Sequence, residues 1–325
     1  MKRKSVSYAK YGYIFSIPFV VAFLLFSLYP TLYTAFLGFT DTQGPAMWGQ
    51  ISFAITEEPF SNFLWILQNN TFQNAIRNTF FIWAMNFIPQ LGLALLLAAW
   101  FTSKRSKLRG QGLFKIFFYM PNIITAAALA ILFHSLFMQP GGPINFFLTR
   151  FGFIEQEIDF MVRPFASQAI VAFIQFWMWY GYTMLILIAG INGISPDIYE
   201  ASEIDGASSI QTFFRITLPN LKSIMLFTLV TSFIGGLNMF DIPHLFNFGG
   251  PVGATTTVGV FIMNLAFSGR NFFNRAGAAS MIIFILIAII SIGIFYLLRD
   301  KDEIAERKAK KQLEKSLKAK GGVKA

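Results

Sequence analysis

Six stretches that carry no Asp, Glu, Lys or Arg read as long and apolar enough to cross a bilayer: 11–40, 78–103, 116–149, 164–196, 223–240 and 276–298. A spanning helix needs about 20 predominantly apolar residues. One charge at mid-helix costs about 2.5–3.5 kcal/mol on insertion scales, so windows this clean are informative. The third window is too long for one helix. Its tail, Gln139-Pro140-Gly141-Gly142-Pro143, reads as a turn, so that span should end near Met138. The pattern predicts an all-α polytopic membrane protein with six transmembrane helices.

Basic residues orient it. With the N-terminus inside, the segments 1–10, 104–115, 192–222 and 299–325 hold 21 of the 26 Lys and Arg, and the outer loops hold 5. The positive-inside rule therefore predicts an N-in, C-in arrangement. A net charge of +10 points to nucleic acid in a soluble protein. Here the charge lies along one side of the predicted membrane, and no nucleic-acid partner is expected. The 55% hydrophobic composition fits the bilayer as solvent. Cys is absent, which removes disulfides and thiolate metal sites.

The chain divides into 1–72 (a basic N-terminal segment, the first span and an outer loop), 73–298 (a five-span core) and 299–325 (a mixed-charge tail). That tail is either solvated or laid on anionic headgroups. The N-terminal basic run before an apolar stretch resembles a secretory signal, but about thirty apolar residues and no Ala-x-Ala site read as an uncleaved span. Pro30 should mark its outer end or a kink.

Between the fourth and fifth spans lies a polar segment, predicted cytoplasmic. It holds four acids, Asp197, Glu200, Glu203 and Asp205. Ser195-Pro196-Asp197 is a helix start, with Ser as N-cap and Pro at the first helical position. Gly206 stands where a left-handed residue would end that helix. Ser208 or Ser209 can cap a second short helix to about Ile216, and Pro219 can open the next one. Residues 195–219 thus read as helix, glycine turn, helix.

Glu200-Ala201-Ser202, Asp205-Gly206-Ala207 and Ile216-x-Leu218-Pro219 resemble the "EAA" loop of permease subunits of bacterial ABC importers. Ser202 stands where that family usually has Ala. Met120-Pro121-Asn122, Gly142-Pro143-Ile144-Asn145 and Gly249-Gly250-Pro251 followed by Thr255-Thr256-Thr257 are similar to its carbohydrate-uptake branch. The likeness covers roughly 71–298. The outer loop 41–77 cannot hold the large domain of the maltose-type subunit, so the multiple-sugar type is the closer match.

The resemblance implies a multi-pass bacterial plasma-membrane subunit forming half of a translocation path for a sugar or oligosaccharide. It implies a second homologous permease, two ATPase subunits carrying MgATP, and an extracytoplasmic sugar-binding protein as partners. Transport would proceed by alternating access. Coupling to the ATPases would run through Glu200, Ala201, Ser202, Asp205, Gly206, Ala207, Ile216, Leu218 and Pro219.

Candidates for the substrate path come from the fourth and fifth spans. Trp177, Trp179, Tyr180 and Tyr182 crowd amphipathic aromatics into six residues, as an interfacial belt or a lined cavity. The family usually has a small residue near Trp179. Ser232, Gly235, Gly236 and Asn238, with Thr231, offer hydroxyls, an amide and accessible backbone. In the second span Asn86, Pro89 and Gln90 read as a kink with an interhelical hydrogen bond. His134 reads as a packing residue.

No Gly-x-x-x-x-Gly-Lys-[Ser/Thr] loop occurs, so no ATP site of that kind and no cofactor is expected in this chain. No His-Glu-x-x-His or Gly-x-Ser-x-Gly word occurs, so it is not expected to be an enzyme. The alternative, an ion-coupled secondary carrier, would need buried carboxylates and an internal repeat. The one candidate carboxylate, Asp241, sits at a span end.

Overall fold

The structure, a computed structural model, describes residues 9–43, 54–103, 109–269, 271–298 and 312. Among them it is nearly all helix. The one β feature is a bridge between Thr40 and Ile55. The tail 299–325 and the basic stretch 104–108, both expected on the inner side, lie outside the described residues apart from position 312.

Four helices are long and apolar enough to cross a membrane: Tyr11–Leu37, Asn70–Thr102, Pro164–Asn192 and Phe273–Leu297. Two bent pairs bring the total to six if each counts as one span. These are Gln111–Ile123 with Ala126–Phe137, bent by 88°, and Ser209–Asn220 with Lys222–Leu237, bent by 66°. The third window is therefore not the single straight helix expected. Pro121 lacks an N–H, 120–123 tightens into a 3₁₀ turn, and the chain turns extended at Ile124 and Thr125. Thr125 then caps a new helix, accepting the Ala128 N–H at 3.3 Å. The second span also begins earlier than expected, at Asn70 rather than 78. Arg77 is one charge in a helix of 33 residues, and the helix continues past it.

The described residues form two compact units. One unites the stretch up to Ile76 with Val258–Leu286. Its first helix relaxes into a π-turn at Leu24–Leu28 just ahead of Pro30, then runs on to Leu37, so Pro30 marks an irregularity and not an end. Beyond it, the Asn62 side chain donates to the carbonyls of Gly38 (3.1 Å) and Thr40 (3.0 Å). The Asn274 N–H donates to Thr42 O at 3.2 Å. The Arg275 guanidinium stacks 4.0 Å from the Trp65 ring and 4.9 Å from Phe272, a cation–π sandwich that joins the short helix Ser61–Gln68 to the start of the last span.

The other unit comprises Arg77–Thr257 with the chain from Ile287. Its spine is the Pro164–Asn192 helix, 56% of whose apolar window is buried. One half of that helix packs Ile174 and Met178 against Leu129, Phe133, Ile242 and Phe246. The other half packs Met184, Leu187 and Ile191 against Ala94, Ala98 and Leu221. Gly181 lets the Phe118–Tyr119 backbone come so close that a Cβ there would collide with the Phe118 carbonyl. Gln90 donates across helices to Thr183 Oγ1 at 2.7 Å. Asn86 instead bonds back to Ile82 O in its own helix, at 3.2 Å.

The Gly249–Thr257 turn is a polar knot. Thr255 Oγ1 lies 2.6 Å from Asn247 Oδ1 and 2.7 Å from Gly250 O. Thr256 donates to Gly249 O at 3.0 Å and Thr257 to Met239 O at 2.8 Å. Asn78 and Gln168 donate to Gly253 O and Ala254 O, each at 2.8 Å. Thr255 and Thr257 are fully buried, so these bonds satisfy groups that water cannot reach.

Candidate functional site

The polar segment folds as its caps require. The helix Pro196–Ile204 carries Asp197 in its first turn, where an acid complements the helix dipole. Ser195 stands at the N-cap position, but its hydroxyl turns to Asp197 Oδ2, 3.3 Å away, and caps no backbone N–H. Pro196 contributes no N–H, so one orphan donor is already gone.

The helix stops on Gly206, whose φ is +73°. Gly206 N–H donates to Glu203 O at 3.1 Å and Ala207 N–H to Ser202 O at 3.0 Å. These two bonds form a Schellman motif, and its left-handed residue is glycine because any Cβ would be strained there.

Ser208 then caps the next helix in a capping box. It accepts from Gln211 N–H at 3.3 Å while Gln211 Oε1 accepts from Ser208 N–H at 2.8 Å. Regular helix ends at Thr212, short of the expected Ile216, and 213–217 widens into a π-turn. That extra residue precedes Pro219, whose missing N–H interrupts the ladder there. The chain bends at Leu221 and enters the Lys222–Leu237 helix.

Two contacts fasten this loop to the spans. Leu221 is fully buried in the cluster with Ala94, Leu97 and Ile191, and Tyr199 packs on the same cluster. The Tyr199 hydroxyl lies 3.2 Å from Thr217 Oγ1, joining the first helix to the returning arm of the loop. Glu200, Ala201, Asp205, Gly206 and Pro219 are exposed, Ile216 and Leu218 half-buried, and Ser202 buried. The outward side also shows apolar groups: Ile204 is 86% exposed and Ile210 71%. On the other side, Ser202 and Ala207 face a cavity of about 470 Å³ between the loop and the ends of two long helices.

The path candidates separate into two groups. Tyr180 is buried, edge-on to Phe118 and stacked on Phe176 at 5.6 Å, and Trp177 is edge-on to Phe133 at 5.8 Å. Trp179 and Tyr182 share the exposed face of the helix and meet each other edge-on at 5.7 Å. On the Lys222–Leu237 helix, Gly235 has open space beside it, whereas a Cβ at Gly236 would collide with the Trp83 indole. Trp83 Nε1 donates to Ser232 Oγ at 3.2 Å. Asn238 is exposed and its amide bonds back to Ile234 O at 2.8 Å. His134 Nδ1 lies 2.6 Å from Phe246 O, which makes it a packing residue that ties two helices. No group of three or more His, Cys, Asp or Glu that could hold a metal occurs among the described residues.

Residues 60–302, which contain the whole loop and every path candidate, match the family described as binding-protein-dependent transport system inner membrane component. The chain belongs to this family. It is a membrane-embedded permease component of a binding-protein-dependent transport system, and the ion-coupled carrier reading finds no support. Among curated relatives, the lactose transport system permease protein LacF of Rhizobium radiobacter is 32% identical over 294 residues, 89% of this chain and 94% of that protein. The arabinooligosaccharides transport system permease protein AraP of Bacillus subtilis (strain 168) is 29% identical over 284 residues, covering 86% of this chain and 87% of that protein. A crystallised bacterial ABC transporter that imports the acidic polysaccharide alginate shares the fold. One of its chains superposes with a TM-score of 0.73 at 22% identity, covering 88% of this chain and 94% of its own.

Sequence reasoning found the loop, but missed Trp83 as the lid over Gly236 and missed the cavity behind Ser202. Trp83 had a signal, an indole near the start of the second window. The cavity had none.

Proposed function

We propose that this permease component carries sugars or oligosaccharides, as one of two permease subunits in an ATP-driven importer. The observation that carries the sugar reading is the near full-length relationship to the lactose permease protein, joined by the arabinooligosaccharide one. MgATP would be bound and hydrolysed on two partner ATPase subunits, and a binding protein would deliver sugar from outside. The amino and carboxyl ends would lie in the cytoplasm, on the same side as the loop 195–219.

In this reading the loop is the coupling element. Exposed Ile204 and Ile210 offer apolar surface to a partner, and the exposed carboxylate of Glu200 offers a charge to a basic group on it. The attachments behind the loop support the same role. A displacement of the Pro196–Ile204 helix pulls on Tyr199 and Leu221, hence on the Pro164–Asn192 and Lys222–Leu237 helices together. Motion driven by ATPase closure would reach the spans through packed side chains rather than through a flexible linker.

Co-purification from membranes tests the assembly. One homologous permease and two copies of an ATPase should come with this chain. A reporter inserted after Ser209 should read cytoplasmic and one at Glu58 external. Recovery as a lone chain, or an external signal at Ser209, contradicts the reading.

A further inference from the structure

The cavity behind the loop has the chemistry of a ligand site. Its volume, about 470 Å³, lies within the range of small-molecule pockets. Three aromatic rings, Trp100, Tyr199 and Phe213, contribute to its wall. Ser103, Asn192, Thr212 and Glu203 add hydroxyl, amide and carboxylate groups. These four side chains make no hydrogen bond or ion pair with any other described residue, so their polar atoms are available to a ligand.

Among the described residues the lining contains no Lys or Arg. Against those residues an anion would meet the Glu203 carboxylate with no compensating charge. Aromatic faces that cover C–H surfaces, with hydroxyl, amide and carboxylate groups to pair with ring hydroxyls, suit an uncharged saccharide.

Position gives the site a consequence. Ala99 and Trp100 belong to the end of one long helix, Asn192 to the end of another, and Tyr199, Glu203 and Thr212 to the loop. A molecule filling the space touches all three elements together. It therefore binds best to one arrangement of loop and spans, and it biases the protein toward that arrangement.

We propose that this cavity is a second saccharide site, reached from the cytoplasm, through which sugar already imported holds the loop against the span ends and slows further import. The proposal rests on the sugar-importer reading given above.

The test uses the complete complex reconstituted in vesicles with ATP inside and binding protein outside. The probe is whichever of lactose, maltose or an arabino-oligosaccharide the complex imports. Labelled uptake is compared between empty vesicles and vesicles loaded with the same unlabelled sugar. Loading should lower the initial rate by about fivefold, the lower end of coupling between two sites. Ala99→Trp, which fills the cavity, should show the same initial rate in empty and loaded vesicles. Asn192→Leu, which removes a polar partner without filling the space, should weaken the slowing and serves if the larger side chain prevents assembly. In nanodiscs, the same sugar should slow amide exchange across 199–217 in wild type and not in Ala99→Trp. Uptake unaffected by loading, or slowed equally in both variants, overturns the site while leaving the importer reading intact. No uptake of any of the three sugars overturns the importer reading, and the site with it.

Discussion

The phenol oxygen of Tyr199 lies 3.2 Å from the hydroxyl of Thr217, so a hydrogen bond joins the two arms of the loop 195–219 beneath an exposed glycine turn. That bond links the helix that carries Glu200 to the segment that leads into the Lys222–Leu237 helix. Removing it should loosen the loop without unfolding the spans. Tyr199→Phe and Thr217→Val each delete one partner of a hydrogen bond with a net worth of about 0.5–1.5 kcal/mol. Both variants should insert and assemble, hydrolyse ATP, and move fewer sugar molecules per ATP. The ratio of uptake to hydrolysis in proteoliposomes measures this. A ratio equal to wild type in both variants would show that the bond transmits nothing.

Gly206 should tolerate no branched side chain. A residue with a Cβ in the left-handed region costs about 1–2 kcal/mol relative to the right-handed one. Here the cost falls on the two bonds that close the Pro196–Ile204 helix. Nothing lies within 4 Å of the position a Cβ would occupy, so the effect is conformational and not a clash. Gly206→Val should leave membrane insertion unchanged and reduce the amount of ATPase recovered with the complex. Gly206→Asn, which visits the left-handed region more readily, should restore part of it. Equal recovery for Val and wild type would refute the argument.

The loop was legible in the sequence because its determinants are local. Pro196, Gly206, Ser208 and Pro219 each impose a backbone conformation within a residue or two of themselves. The break at Met120–Ile123 was not legible, because Pro121 also suits a kinked but continuous span, and only packing against the Pro164–Asn192 helix selects the sharp bend. The faces of the aromatic cluster were readable from spacing: residues 177 and 180 share one side, residues 179 and 182 another. Which side meets protein was not readable, since that depends on Phe118, Phe133 and Phe176, brought in by the fold. The cavity is made from residues separated by about a third of the chain, and no local signal marks it.

The division of the aromatics gives the third prediction. Tyr180→Ala removes a buried ring and should cost about 3–5 kcal/mol, as large-to-small core changes do, visible as lower thermal stability of the purified complex. Trp179→Ala and Tyr182→Ala act on an exposed face. They should preserve stability and alter sugar selectivity or the apparent affinity for uptake. Asn238→Ala should behave like them. Wild-type uptake of every tested sugar by all three would remove this face from the path.

Glu200 supplies the fourth. Docked against a basic group of an ATPase, its carboxylate becomes part of a desolvated pair, and loss of one member of such a pair costs about 3–5 kcal/mol. An exposed pair is worth about 1 kcal/mol at most. Glu200→Ala should therefore weaken ATPase attachment strongly and abolish sugar-stimulated hydrolysis, while Glu203→Ala, whose carboxylate borders the cavity behind the loop, should attach its ATPases nearly as well as wild type. Tight attachment in Glu200→Ala would rule out that role.

The central claim is that this chain moves sugar by ATP hydrolysis on partner subunits. Its most direct test is labelled saccharide uptake into proteoliposomes containing the purified complex. The account predicts uptake that requires ATP inside and the binding protein outside, and that continues when proton and sodium gradients are collapsed. Uptake that survives removal of ATP and follows an imposed ion gradient would contradict it.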